Sequence, residues 1–302
     1  MRTLSLVAAA LLPTVLVLSA CAPKDDGSSA SSGSSATASS SASASASTCT
    51  PAALAKAGAL TKQGTLTVAT DSPAYPPWFE DNKPTNGKGY ESAVAYAVAK
   101  KLGFSQSQVS WVKEPFNNSY APGPKNFDFD INQISITTAR AKVVDFSTGY
   151  YSAAQAVIAL KGSAAAKATS PADLAKLKLG AQTGTTSLTA IRDDVKPAED
   201  PLVFDDTNVA KQALLNGQVD AIVADLPTAL YITATELSKG VIIGQFKSSG
   251  TPEQFGMLAA KGSKLVPCLD YAVAQLTQDG TLASLEKTWL SESVSVPVLT
   301  QS

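Results

Sequence analysis

From Gly64 to Leu290, short apolar runs of strand length alternate with longer runs of helical period, and the alternation starts twice. In the first series, "GTLTVATD" carries a strand over Leu66–Ala69. Tyr90, Val94, Val98 and Leu102 then recur every four residues, which predicts a helix closed by Gly103. "VSWVKEP" is the next strand, and Phe127, Phe129, Ile131, Ile134 and Ile136 suggest a buried one after it. "YYSAAQAVIALKG" is an extended run that closes this series near Lys161. The second series opens with a short capped helix near Ser170 and the strand "LKLGAQ". A helix stopped at Gly217, a strand over Val219–Ala224 and a helix begun near Pro227 follow. "EQFGMLAAKGS" reads as one more strand, and the helical C-terminal part breaks at Gly280. Strands that alternate with helices need both sheet faces covered, so the sheets are parallel or mixed. Two starts imply two α/β lobes.

The N-terminal part has a different composition. Arg2 is followed by an apolar run, Leu4 to Leu18, too short to span a membrane and of the length of a signal h-region. The run ends in "LSAC", which resembles a bacterial lipobox. Residues 1–20 would then be a signal peptide and Cys21 the lipidated residue; an ordinary secretory signal cut nearby is the alternative. Gly27 to Ser47 contains no large apolar residue and cannot offset its ordering entropy, so residues 21–48 read as a tether. Net charge is -1, with no basic run, which argues against nucleic acid as a partner. Histidine is absent, which removes Ser-His-Asp and Cys-His catalysis and His-ligated metal sites. No metal or cofactor is expected. If Cys21 carries lipid, Cys49 and Cys268 are left to pair in an oxidising compartment or to stay as two buried thiols; the disulfide is the expectation.

Six motifs in order carry a resemblance: "GTLTVATD", "GKGYESAVAYAVAKKLGF", "FDFDINQISITTARAKVVDFSTGYY", "LGAQTGTTS", "NGQVDAIVAD" and "FGMLAAKGS". Together they resemble family 3, the amino-acid type, of the extracellular solute-binding proteins that serve ABC transporters. The resemblance implies a type II periplasmic-binding-protein-like α/β fold, with two hinge strands and a ligand cleft between lobes. Lobe I would hold 49–152 plus 256–302, and lobe II 153–255. It also implies a monomer that captures an amino acid and hands it to an ABC permease without catalysing a reaction; the lipidated Cys21 would anchor it outside the cytoplasm. Two other readings share the fold. One is an enzyme resembling cyclohexadienyl dehydratase, with Glu114 or Asp71 as acid or base. The other is a sensory ligand-binding module.

The resemblance also assigns a site. Arg140, in "ITTAR", matches a carboxylate-binding arginine, and guanidinium pairs with carboxylate through two parallel hydrogen bonds. Thr185 and Thr186, in "TGTTS", would add backbone donors at a helix start. Asp225 matches an ammonium-binding acid, Ser135 adds a polar contact, and Tyr75 and Phe116 resemble aromatics that sandwich the ligand. Asp71 ends the first strand, where an aspartate suits polar or basic ligands. Gln133 stands where a small residue is common, Gln182 where the family varies, and Glu91 where an aspartate is usual. The glutamines and Asp71 would favour an amide or cationic side chain, and Glu91 is read as structural. Trp78 fits core or rim. Asp128 and Asp220 read as capping groups at strand starts. Asp130 and Asn132, polar residues in a supposedly buried strand, have no assigned role.

Overall fold

A computed structural model describes residues 44–247, 252–290 and 296–300. The predicted signal, Cys21 and most of the tether lie outside the described residues. Residues 44–48, assigned to the tether, instead form a turn in which Ser45 O accepts from the N–H groups of Thr48 and Cys49. Helix α1 (Pro51–Ala57) follows, capped by the Thr50 side chain on Ala53 N–H. The Cys49–Cys268 disulfide is formed.

Lobe I is built on β1 (Leu66–Thr70), buried at every residue, then α2 (Tyr90–Lys101), β2 (Val109–Lys113), α3 (Phe116–Ser119), β3 (Phe129–Asp130), α4 (Thr138–Ala141) and β4 (Val144–Ala153). Lobe II holds β5 (Gln155–Leu160), α5 (Pro171–Leu174), β6 (Leu179–Gln182), α6 (Thr186–Ala190), β7 (Leu202–Phe204), α7 (Thr207–Leu215), β8 (Ala221–Asp225), α8 (Leu226–Tyr231) and β9 (Gly240–Gln245). The chain returns to lobe I for β10 (Glu253–Ala260), α9 (Val266–Gln278) and α10 (Thr281–Trp289). Gly280, at φ +76, makes the left-handed break between the last two helices that the sequence predicts.

The two sheets repeat one plan. Lobe I has the order β2-β1-β3-β10-β4, and lobe II the order β7-β6-β8-β5-β9. The first three strands of each are parallel, an antiparallel strand from the hinge (β10 or β5) pairs with the third, and β4 or β9, antiparallel to that strand, completes the sheet. Asp128 and Asp220 play matching parts, as the sequence suggests. Asp128 accepts from Thr67 N–H at the start of β1, and Asp220 from Lys178 N–H just before β6. The hinge side of lobe I is an aromatic core in which Trp78 is fully buried and meets Tyr90, Tyr151 and Phe255 edge-on. Its indole N–H crosses to Thr228 Oγ1 of lobe II at 2.9 Å, so Trp78 is both core and rim.

Three expectations need correction. The stretch from Phe127 to Ile136 is not one strand. Only Phe129–Asp130 pair as β3, because Gln133 takes a left-handed conformation, φ +49, and turns the chain. Residues 253–255, assigned to lobe II, lie in β10 and pair with β4 of lobe I, so the sheets divide at Ala154 and again before Glu253. The C-terminal residues 296–300, assigned to lobe I, lie on lobe II. There Val298 pairs with Gln245, Leu299 is buried in the lobe II core, and Gln245 N–H donates to Pro297 O. The outer edge of β9 would otherwise leave its backbone groups without partners.

Candidate functional site

Between the lobes lies a cavity of about 190 Å³. It sits beyond the carboxyl ends of β1 and β8, the place where open α/β sheets bind ligands. Nine of the ten residues expected from the sequence line it, and only Arg140 does not. From lobe I come Asp71, Tyr75, Phe116, Gln133 and Ser135; from lobe II come Gln182, Thr185, Thr186 and Asp225.

Asp71 follows β1 directly. Its carboxylate accepts from the N–H groups of Ser72 and Phe116 at 2.6 and 3.1 Å, which fixes both the acid and the aromatic ring that follows. Asp225 ends β8, where Gln155 Nε2 donates to its Oδ1 at 2.7 Å. The same amide lies 3.1 Å from Glu253 Oε2, so one glutamine stands between two hinge carboxyls. Burial, and then the charge of Glu253, push Asp225 up to about 8. That shift favours the protonated carboxyl near neutrality. Ser135 donates to Glu253 and lies 3.2 Å from Thr186 Oγ1. Thr185 caps α6 by accepting from Leu188 N–H, which leaves first-turn N–H groups at Thr186 and Ser187 without intrahelical acceptors.

Arg140 is one layer behind the wall. Its guanidinium packs over Phe116 and Tyr120, 5.4 and 4.7 Å from the ring centres. It donates to Ser135 O at 2.8 Å and, across the cleft, to Gly184 O at 2.9 Å. Two of the five guanidinium N–H donors are thereby held by backbone carbonyls. Burial lowers its pKa, but a guanidinium stays cationic in proteins.

The glutamines do not present themselves as expected. Gln133 turns its Nε2 to Glu91, and Gln182 Oε1 accepts from Thr207 Oγ1. The polar character of the cavity comes instead from acids the sequence reading did not find. Asp205, Asp206 and Glu236 join Asp71 and Asp225 in the lining, and among the described residues no lysine or arginine lines it. Asp206 caps α7 through Val209 N–H, a capping signal visible in "DDTN"; nothing local said that this helix start faces the cleft. Tyr75 brings these acids together. Its hydroxyl is buried beside them, and burial, then Asp206, Asp71 and Glu236, raise its pKa. Asn132 also lines the cavity, with an unpartnered buried Nδ2, and Asp130 lies behind the wall, accepting from Ser119.

Residues 66–292 match the family of bacterial extracellular solute-binding proteins, family 3. The chain belongs to this family. As a solute-binding protein it is similar to the L-cystine-binding protein TcyJ of Escherichia coli K12, 28% identical over 222 residues, 73% of this chain and 81% of that one. It is similar to the ABC transporter glutamine-binding protein GlnH of Bacillus subtilis, 30% identical over 69% of this chain and 76% of that one. Among solved structures, an ancestral arginine-binding protein bound to glutamine superposes with a TM-score of 0.64 at 31% identity, over 76% of this chain and all of that one. The two-lobed, type II solute-binding fold is thus common to this chain and its relatives. Among the described residues, no helix is long and apolar enough to cross a membrane.

Proposed function

We propose that this solute-binding protein captures an amino acid with a cationic side chain and delivers it to an ABC permease, tethered to the outer face of the cell membrane by a lipidated Cys21. One observation carries the choice of ligand: among the described residues, five carboxyl groups line the cavity and no cationic side chain does. Desolvated carboxylates need a cation, and the ligand supplies it. In this reading Asp225 takes the α-ammonium group. The N–H groups of Thr186 and Ser187, with Ser135, take the carboxylate, and Arg140 holds Ser135 from behind. Tyr75 and Phe116 flank the side chain, whose charge ends against Asp71, Asp206 and Glu236. The role is capture and release, without turnover.

The relatives' names span cystine, glutamine and arginine, so kinship alone does not select a ligand. A thermal-shift screen of the amino acids does. A ligand at 100 times its Kd stabilises by about 2.7 kcal/mol. Lysine, arginine or ornithine is expected to raise Tm most. A shift given only by neutral or acidic amino acids overturns the choice of ligand, and no shift with any amino acid overturns the function.

A further inference from the structure

Gln133 stands in the cavity wall with φ +49, a conformation that glycine adopts freely and glutamine does not. What holds it there is Glu91, which is fully buried in the first turn of α2. Glu91 Oε1 accepts from Gln133 N–H at 2.7 Å, and Oε2 accepts from Gln133 Nε2. A third donor, the Tyr150 hydroxyl, reaches Glu91 from the hinge strand β4. No lysine or arginine pairs with this carboxyl among the described ion pairs. A buried carboxyl without a cation is an expensive way to fill space. Burial pushes it up to about 7, and its three donors oppose that shift.

The turn at Gln133 sets everything after it. Before it runs β3; after it, Ser135 bridges to Phe255 on the returning hinge strand, and Ile136 N–H donates to Gln254 O. Asn132 and Ser135, both in the lining, flank the turn, and Ser135 O is the acceptor that holds Arg140. Glu91 itself does not line the cavity.

We propose that Glu91 is a positioning residue for ligand binding: it clamps Gln133 in the left-handed conformation, so that Asn132 and Ser135 face the ligand and Arg140 stays aligned behind them. The effect on affinity rests on the amino-acid-binding reading above; the clamp itself does not.

The test combines Glu91→Ala, Glu91→Gln, Gln133→Gly and the double variant Glu91→Ala/Gln133→Gly. Affinity for the amino acid found in the screen is measured by calorimetry, with Tm alongside. Glu91→Ala is expected to weaken binding by about tenfold or more, a loss of the size that separates a formed site from a misaligned one. The double variant is expected to bind about as tightly as Gln133→Gly alone, since glycine holds the turn without a clamp. An affinity unchanged in Glu91→Ala overturns the proposal, and so does a loss that Gln133→Gly does not rescue. Should Glu91→Ala fail to fold, Glu91→Gln, which keeps the volume and one acceptor, carries the same comparison with Gln133→Gly. If the wild type binds no amino acid, the function fails rather than the clamp. Hydrogen exchange of residues 131–136 in the ligand-free variants then decides: faster exchange in Glu91→Gln supports the clamp, and equal exchange overturns it.

Discussion

Asp225 and Asp130 are both pushed up to about 8, with burial as the first cause, and the consequences differ. Asp225 faces the cavity, so a bound ammonium group favours its charged form. Binding at pH 7 should release close to one proton, and affinity should rise with pH until about pH 8. Calorimetry in buffers of different ionisation enthalpy measures the proton count; Asp225→Asn should abolish it and weaken binding. A count near zero in the wild type contradicts this role. Asp130 faces Ser119 inside lobe I, and its Oδ1 has no partner. Its folded pKa lies above its ordinary value, so its contribution to stability is complete below about pH 4 and is lost as pH rises through about 8. Asp130→Asn removes that loss. At pH 8 the variant should melt above wild type, by at least a few degrees at this size. At pH 4 the two should melt alike. A variant that melts below wild type at pH 8 contradicts the assignment of a neutral, buried carboxyl.

The elements around the cleft meet at a glycine. Gly184, at φ +72 between β6 and α6, takes the Arg140 hydrogen bond across the cleft, and Tyr120 Oη lies 3.4 Å from the same oxygen. A Cβ on Gly184 would stand 2.2 Å from both Asn117 Oδ1 and Tyr120 Oη of lobe I. Gly184→Ala should therefore hinder closure. Expected results are a ligand affinity reduced by about tenfold or more and a larger radius of gyration by small-angle scattering with ligand present. Adding Asn117→Ala and Tyr120→Phe should recover part of the affinity, because those changes remove the clashing atoms and leave the strain of alanine at positive φ. Closure undisturbed in Gly184→Ala would show that the lobes do not meet there. The same hydrogen bond makes Arg140 a link between the lobes, so Arg140→Ala should weaken closure.

At the scale of the molecule, the lobes have separate cores, and the chain passes between them at Ala154, before Glu253 and again between 290 and 296. The last passage lets 296–300 finish the edge of the lobe II sheet. Leu299 is the anchor, 3% exposed in the core of lobe II. Leu299→Ala should cost about 2–4 kcal/mol, the range for a buried leucine, and should speed hydrogen exchange at Gln245 and Phe246, which border the tail. Equal exchange in variant and wild type would mean that the tail does not hold that edge. The disulfide acts elsewhere, tying the start of lobe I to α9.

Much of the fold was legible because its signals are local. Helix periods, caps and glycine breaks depend on neighbours a few residues away, so α2, α7, β1, β8 and the break at Gly280 sit close to their expected places. Asp71, Asp225 and the "TGTTS" turn were legible through the family resemblance, and they line the cavity at strand ends. The run from Phe127 to Ile136 was not legible. Its apolar spacing suits a strand, but a carboxylate 42 residues away in sequence holds Gln133 out of one. The placement of residues 296–300 and the acids Asp205, Asp206 and Glu236 depend likewise on distant partners. The sequence by itself determined the two-lobed α/β order, because periodicity and capping act within a turn or two of chain, and its family resemblance named nine residues of the cavity wall. Only the tertiary structure decided which way the polar groups point: Gln133 toward Glu91, Arg140 toward Gly184, and five carboxyls toward one cavity. Those directions come from hydrogen bonds and burial between residues that meet only when the chain has folded.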